Sequence, residues 1–167
     1  MIRLWFYNPS MDSEGLVNKI VSYMDGPFCH CEVQFANDAA CSIVMGDIVR
    51  MRVRTFQNSA YKCMYLPCSR QQHNAACVAA ERITEQGNGF SVIGMLGAHY
   101  QRNSCPANTT FCSKLCVEIL QAAGLAPPSL VPGTVSPSRL YRMVSQAGAS
   151  EQARAAPGGR VAAIDFK

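Results

Sequence analysis

Hydrophobic and polar positions divide the chain into a mainly strand-patterned stretch up to residue 66 and a mainly helix-patterned stretch after it. Residues 2–7, IRLWFY, predict a strand. Beyond the NPSMDS turn, Leu16, Val17, Ile20, Val21 and Met24 recur at helical spacing, with Asp12 or Ser13 as the cap and Gly26-Pro27 as the stop. Over 28–35, FCHCEVQF, a period of two puts Phe28, His30, Glu32 and Gln34 on one face and Cys29, Cys31, Val33 and Phe35 on the other. One face is thus expected to be apolar and the other polar near its middle. Residues 40–45 predict a further strand, and Gly46-Asp47 a tight turn. In 48–54, IVRMRVR, alternation sends Val49, Met51 and Val53 inward and Arg50, Arg52 and Arg54 outward. A last strand, 61–66, ends at Pro67, and these segments together predict an antiparallel meander.

Helical spacing returns at 70–86, with Ala76, Cys77, Ala80 and Ile83 inward and Gly87 as the stop. Residues 90–99 read as a short helix or as a buried loop. The segment 109–124, TTFCSKLCVEILQAAG, predicts a helix with a threonine cap, and Gly124 ends it. Its apolar face is Phe111, Cys112, Leu115, Cys116, Ile119 and Leu120, and Lys114 and Glu118 pair one turn apart on the outside. Ser136-Pro137 starts a short helix that runs to about Val144. Residues 145–160 are rich in Ala, Gly, Ser and Gln, as flexible arms are, and VAAIDF beyond them has the pattern of an edge strand. The pattern contains no internal repeat. One domain is expected over 1–144, with a flexible C-terminal arm over 145–167.

Composition adds three constraints. In a chain of 167 residues, 49% hydrophobic and 16% charged residues suit one folded domain with a real core rather than a disordered tail. The net charge of +4 permits an anionic partner without requiring one. The count of 9 cysteines is odd, so they cannot all pair with one another. The N-terminus lacks the pattern of a secretory signal, and no run of about 18 apolar residues suggests a membrane span. A cytoplasmic location with reduced thiols is the expectation, most of those thiols packing as small core residues.

The chemistry turns on which thiol can become a thiolate. A helix N-terminus and a nearby histidine both favour that state. Cys112 is expected in the first turn of its helix, where unpaired backbone N–H groups also suit an oxyanion. Cys116, one turn further, reads as core. Of the 3 histidines, His73 falls on the polar side of a helix and His99 in the ambiguous stretch. His30 shares a strand face with Glu32, about 6.5–7 Å away between Cα atoms, so a carboxylate is at hand to orient the ring. Gln34, or Ser42 on the next strand, is an alternative orienting group. A cysteine on an apolar helix face is ordinarily packing, and a strand histidine ordinarily solvated; the combination of a first-turn cysteine with an upstream His-x-Glu favours catalysis. Zinc is disfavoured, because Cys29 and Cys31 point away from His30 and no C-x-x-C pair is present. Arg50, Arg52 and Arg54 read as a solvated face, not a nucleic-acid platform. Phe90, Gly94 and Gly97 suit either a groove beside the site or close packing of a loop.

The order of "GPFCHCEVQF", "GDIVRMRV", an aromatic before Leu66-Pro67, "GFSVIGMLG", "FCSKLCVEILQAAGL" and "SPSRL" resembles the circularly permuted NlpC/P60 superfamily of papain-like cysteine peptidases and amidases. It is most similar to viral and phage members, over residues 1–144 in outline. The resemblance implies an α+β papain-like fold in which an antiparallel sheet carrying His30 packs against a helix carrying Cys112 at its N-terminus. It also implies Cys112 as nucleophile, His30 as base and Glu32 as the acidic partner, with no cofactor and no metal. Two positions depart from the family pattern: Cys29 stands where a small residue is usual, and Lys114 where an acidic one is.

The expected function is a cysteine-dependent hydrolase of an amide, isopeptide or ester bond acting through a thioester. Its expected partner is a protein or peptide substrate, ubiquitin-like proteins among the candidates, with no nucleic acid. A lipid or acyl-group transferase on the same pair is the enzymatic alternative; it calls for an exposed apolar patch or a membrane segment, which the sequence does not reveal. A non-catalytic binding module that keeps the fold is the competing class.

Overall fold

Alternation along β1 (Ile2–Tyr7) buries Ile2, Leu4 and Phe6 and leaves Arg3, Trp5 and Tyr7 half-buried. The computed structural model describes residues 1–11, 25–56 and 59–148; the helix expected over 16–24 and nearly all of the expected arm lie outside the described residues. Strand β1 is followed by β2 (His30–Gln34), β3 (Ala39–Ser42), β4 (Arg50–Val53) and β5 (Tyr61–Leu66). They form one antiparallel sheet in the order β4-β3-β2-β1-β5.

The first four strands follow the predicted meander. The fifth does not: β5 runs along the other edge, paired with β1 from Ile2↔Leu66 to Tyr7↔Tyr61. Strand β4 makes a poor template, because Arg50, Arg52 and Val53 are exposed on it and charged edges resist further pairing. The chain instead crosses the sheet face after β4, where Phe56 stacks on Trp5 with ring centroids 4.5 Å apart. Val53, expected inward, is 74% exposed at that edge.

Helix α1 (Arg70–Glu85) begins at a capping box between Ser69 and Gln72. It buries Ala76, Ala79, Ala80 and Ile83, while Cys77, expected inward, is only half-buried. The ambiguous stretch is helical: α2 spans Val92–His99. Short parallel strands β6 (Gly89–Phe90) and β7 (Thr109–Thr110) bracket α2 and the loop after it. That loop lies close against α2. A Cβ on Gly97 would sit 2.8 Å from the Ser104 hydroxyl and 2.9 Å from the Arg102 carbonyl, so close packing of the loop is the role found for this glycine. Helix α3 spans Cys112–Ala122, and α4 (Pro137–Gln146) starts at the Ser136 cap.

The fold is therefore α+β, with a five-stranded antiparallel sheet and four helices among the described residues. Leu115, Cys116, Ile119 and Leu120 of α3 join Leu4, Phe6, Cys31, Val33 and Met64 of the sheet in one core. Helix α3 packs against both β2 and α1. The polar face of β2 is buried as well, since Glu32 is 0% and Gln34 2% exposed. A strand in the middle of a sheet, covered on both sides, buries even its polar residues, and those then require partners.

Candidate active site

The meeting point is the N-terminal end of β2. His30 is the first residue of that strand, opposite Tyr7 of β1. Cys112 is the first residue of α3. The helix has no threonine cap; Thr109 and Thr110 are used in β7, and Phe111 takes the cap position in extended conformation (φ −147°, ψ 167°) with no side-chain bond to the helix. The Phe111 ring is buried with Cys29, Met95 and Ala98, which holds the start of α3 in place by packing. Because no side chain caps the helix, the first-turn N–H groups beside Cys112 keep their hydrogen-bonding capacity and the positive end of the helix dipole faces the sulfur.

Cys112 and His30 lie close enough together for each to shift the other's protonation. Cys112 is 2% exposed, and the His30 side chain 15%, so the imidazole is the solvent-facing edge of the pair. A hydrogen bond from the Cys31 thiol draws the Cys112 sulfur well below its ordinary thiol value; burial opposes this, and the bond and charge of His30 add to it. Burial likewise works against a charged His30, yet its contacts with Cys112 and Glu32 raise it to about 10. The two directions agree on a thiolate–imidazolium pair at neutral pH.

Glu32 completes the line. Its Oε1 lies 3.3 Å from His30 Nε2 and accepts from Arg54 Nη1 at 2.5 Å. Burial would raise this carboxylate, but the His30 bond, the charges of His30 and Arg54, and the nearby Ser42 hydroxyl together hold it below its ordinary value. With Nε2 turned to Glu32, the other ring nitrogen is left for sulfur. Gln34 is not the orienting group: it accepts from Trp5 Nε1 at 2.7 Å and donates to the carbonyls of Arg54 and Asp38. Arg54, expected among solvated arginines, is a member of the site. Arg50 and Arg52 do remain outside, both paired with Asp47.

Cysteines surround the nucleophile position. Cys31 Sγ lies 3.6 Å from Cys116 Sγ and also contacts Cys112. Cys31 and His30 still diverge as alternation predicts: Cys31 joins the core with Val33 and Cys116, while His30 turns to Glu32. Burial and the Cys112 charge push Cys29 up to about 12, and burial raises Cys31 well above its ordinary value, so both stay protonated at neutral pH. All 9 cysteines are free thiols. Lys114 points away from the pair, its Nζ bonded to the Thr109 carbonyl at 3.0 Å and 3.7 Å from Glu118. His73 packs edge-on against Phe35 and accepts from the Ala36 N–H, a structural role. Among the described residues no three His, Cys, Asp or Glu side chains are arranged to hold a metal ion. No helix among them is long and apolar enough to cross a membrane.

Comparison with protein families, with curated proteins and with solved structures finds no match to this chain.

Proposed function

We propose that the protein is a cysteine-dependent hydrolase of the papain-like, permuted NlpC/P60 type. The observation that carries this reading is the placing of Cys112, the first residue of an uncapped helix, beside His30, which is backed by buried Glu32 and its partner Arg54. Cys112 sulfur attacks a carbonyl carbon, and the oxyanion that forms is held by first-turn N–H groups of α3. The His30 imidazolium gives its proton to the leaving amine or alkoxide, leaving a thioester. Neutral His30 then takes a proton from water as the water attacks that thioester, releasing the acid and restoring the pair. Glu32 fixes the ring and stabilises its charge; Arg54 keeps Glu32 ionised. A peptide amide or isopeptide is the preferred substrate bond, ubiquitin-like proteins being one source of it. The test is a panel of amide, isopeptide, ester and thioester probes, with intact-mass detection of an acyl adduct. An adduct on Cys112 that is absent from Cys112→Ala supports the reading. Turnover unchanged in Cys112→Ala overturns it.

Acyl transfer from a lipid is the second reading, favoured by one surface. Val92, Ile93, Leu96 and Tyr100, in and just after α2, are between 40% and 69% exposed. The exposed Val44, Met45 and Ile48 lie beside the start of the same region, because Phe90 N–H bonds the Asp47 carbonyl and Ile48 bridges Gly89. An apolar face of this kind is unusual on a surface with no partner. Co-sedimentation with phospholipid vesicles that is lost in Ile93→Glu/Leu96→Glu favours this reading. Absence of sedimentation with the wild-type protein removes it.

A further inference from the structure

The last residues before the His30 strand, the end of α2 and the outer side of α4 enclose a half-open cavity of about 250 Å³. Its lining includes Asp25, His99, Gln101, Arg139 and Arg142. Both ring nitrogens of His99 are buried there and bond no group among the described residues. A buried imidazole with two unused nitrogens is costly unless something polar meets it. Two guanidinium groups share the cavity with one carboxylate. Arg142 is committed to Asp25, at 2.8 Å from Oδ1, and Asp25 also accepts from Ser136. Among the described residues Arg139 makes one 3.2 Å bond, from Nη1 to the Thr134 carbonyl, which leaves most of its donor fork unused by them. Its described lining thus carries one excess positive charge and a fork suited to a carboxylate.

Its position ties it to the Cys112 centre. Met95 and Ala98, on the helix that carries His99, pack against Phe111 and Cys29, the chain neighbours of Cys112 and His30. Ser138 of α4 accepts from the Phe28 N–H and donates to the Phe28 carbonyl, fixing the cavity wall to the segment that leads into His30. His99 is near enough to Cys112 to feel its charge, although burial keeps its own proton affinity below the ordinary histidine value.

We propose that this cavity is a carboxylate subsite of the Cys112 centre, in which Arg139 and neutral His99 hold an α-carboxylate or an acidic side chain of the substrate next to the bond being cleaved. The inference rests on the hydrolase reading above and narrows its substrate to acidic or carboxyl-terminal peptides.

Alkylation kinetics on the full chain test it. The probes are N-iodoacetylglycine, its methyl ester, and N-iodoacetyl aspartic acid α-amide with the corresponding side-chain ester, each read at Cys112 by peptide mass spectrometry. One acid should label Cys112 about tenfold faster than its ester, the worth of one charge-assisted hydrogen bond, and the acid that does so identifies the carboxylate source. Arg139→Gln should bring the ratio close to one, with labelling by the neutral esters unchanged. Equal rates for acids and esters, or a ratio that survives both Arg139→Gln and Arg142→Gln, overturn the subsite. Failure of every probe to label Cys112 counts against the hydrolase reading instead. In that event, titration of the Cys112→Ser protein with N-acetylglycine, followed on the His99 ring signals by NMR, decides the cavity. A saturable shift that disappears in Arg139→Gln supports anion binding, and no shift overturns it.

Discussion

Replacing His30 by alanine isolates the interaction on which the proposed chemistry depends. At pH 7 a thiol at its ordinary value of 9.0 is about 1% thiolate, and lowering that value enlarges the ionised share. The gain in population has a ceiling of about 100-fold. Thiolates of lower basicity are weaker nucleophiles, by about threefold per pKa step, which returns part of that gain. The net expectation is that His30→Ala slows alkylation of Cys112 by about tenfold near pH 7. The Cys31 hydrogen bond remains in the variant, but it brings no positive charge to balance a thiolate in a site 2% exposed. The assay is the rate of iodoacetamide labelling at Cys112 between pH 5 and pH 10, by quantitative mass spectrometry, with circular dichroism to verify folding. In the wild-type protein the rise with pH should begin well below 9; in His30→Ala it should move to 9 or above, and the two curves should converge in alkali. Superimposed curves for the two proteins would refute the ion pair.

The same pair gives stability a defined pH dependence. His30, raised from 6.5 to about 10, contributes stability that is complete below 6.5 and lost as pH rises towards 10. Cys112, lowered from 9.0, contributes stability that is complete above 9 and lost as pH falls towards its depressed value. Between 6.5 and 9 the two slopes cancel, so urea midpoints should be flat there and fall on both sides, and His30→Ala should abolish the alkaline fall assigned to this pair. Arg54→Met leaves Glu32 charged and 0% exposed, and should cost about 3 kcal/mol in chemical denaturation, with part recovered in the Arg54→Met/Glu32→Gln double variant. Glu32→Gln should lower kcat on whichever probe proves active, with KM little changed, and move the alkaline limb of activity below 10 by removing the charge that helps raise His30. Gly97→Ala drives a Cβ to within 2.9 Å of the Arg102 carbonyl and should lower stability by about 1–3 kcal/mol in a urea titration.

Periodicity in the chain was enough to place β1, β2, α1 and α3, because each carries an apolar face of regular spacing. It also brought His30, Cys112 and Glu32 forward as a group, on the chemistry of a first-turn thiol and a carboxylate two residues from a histidine. Arg54 escaped, since alternation in IVRMRVR treats three arginines alike. Only the β4 edge and the crossing chain after it separate Arg54 from Arg50 and Arg52. The position of β5 escaped for a related reason: strand patterns give faces but not edges, and pairing with β1 is a tertiary choice. The sequence points to a threonine cap at α3 because threonine is a good cap in isolation. Here both threonines bond in β7, and Phe111 is placed by its buried ring. Gln34 and Glu32 look equivalent in sequence, one register step apart on the same strand face. Trp5 and the carbonyls of Asp38 and Arg54 occupy the first, which leaves Glu32 to face the imidazole.

The contact between Cys31 and Cys116 joins chain positions 85 residues apart. A ribosome therefore releases the imidazole strand long before it makes the helix that bears the sulfur. A nascent chain halted in the loop before that helix holds a base with nothing to activate. Reactivity arrives only with long-range closure of the domain, and the growing polypeptide is spared an armed thiol while it is still unfolded.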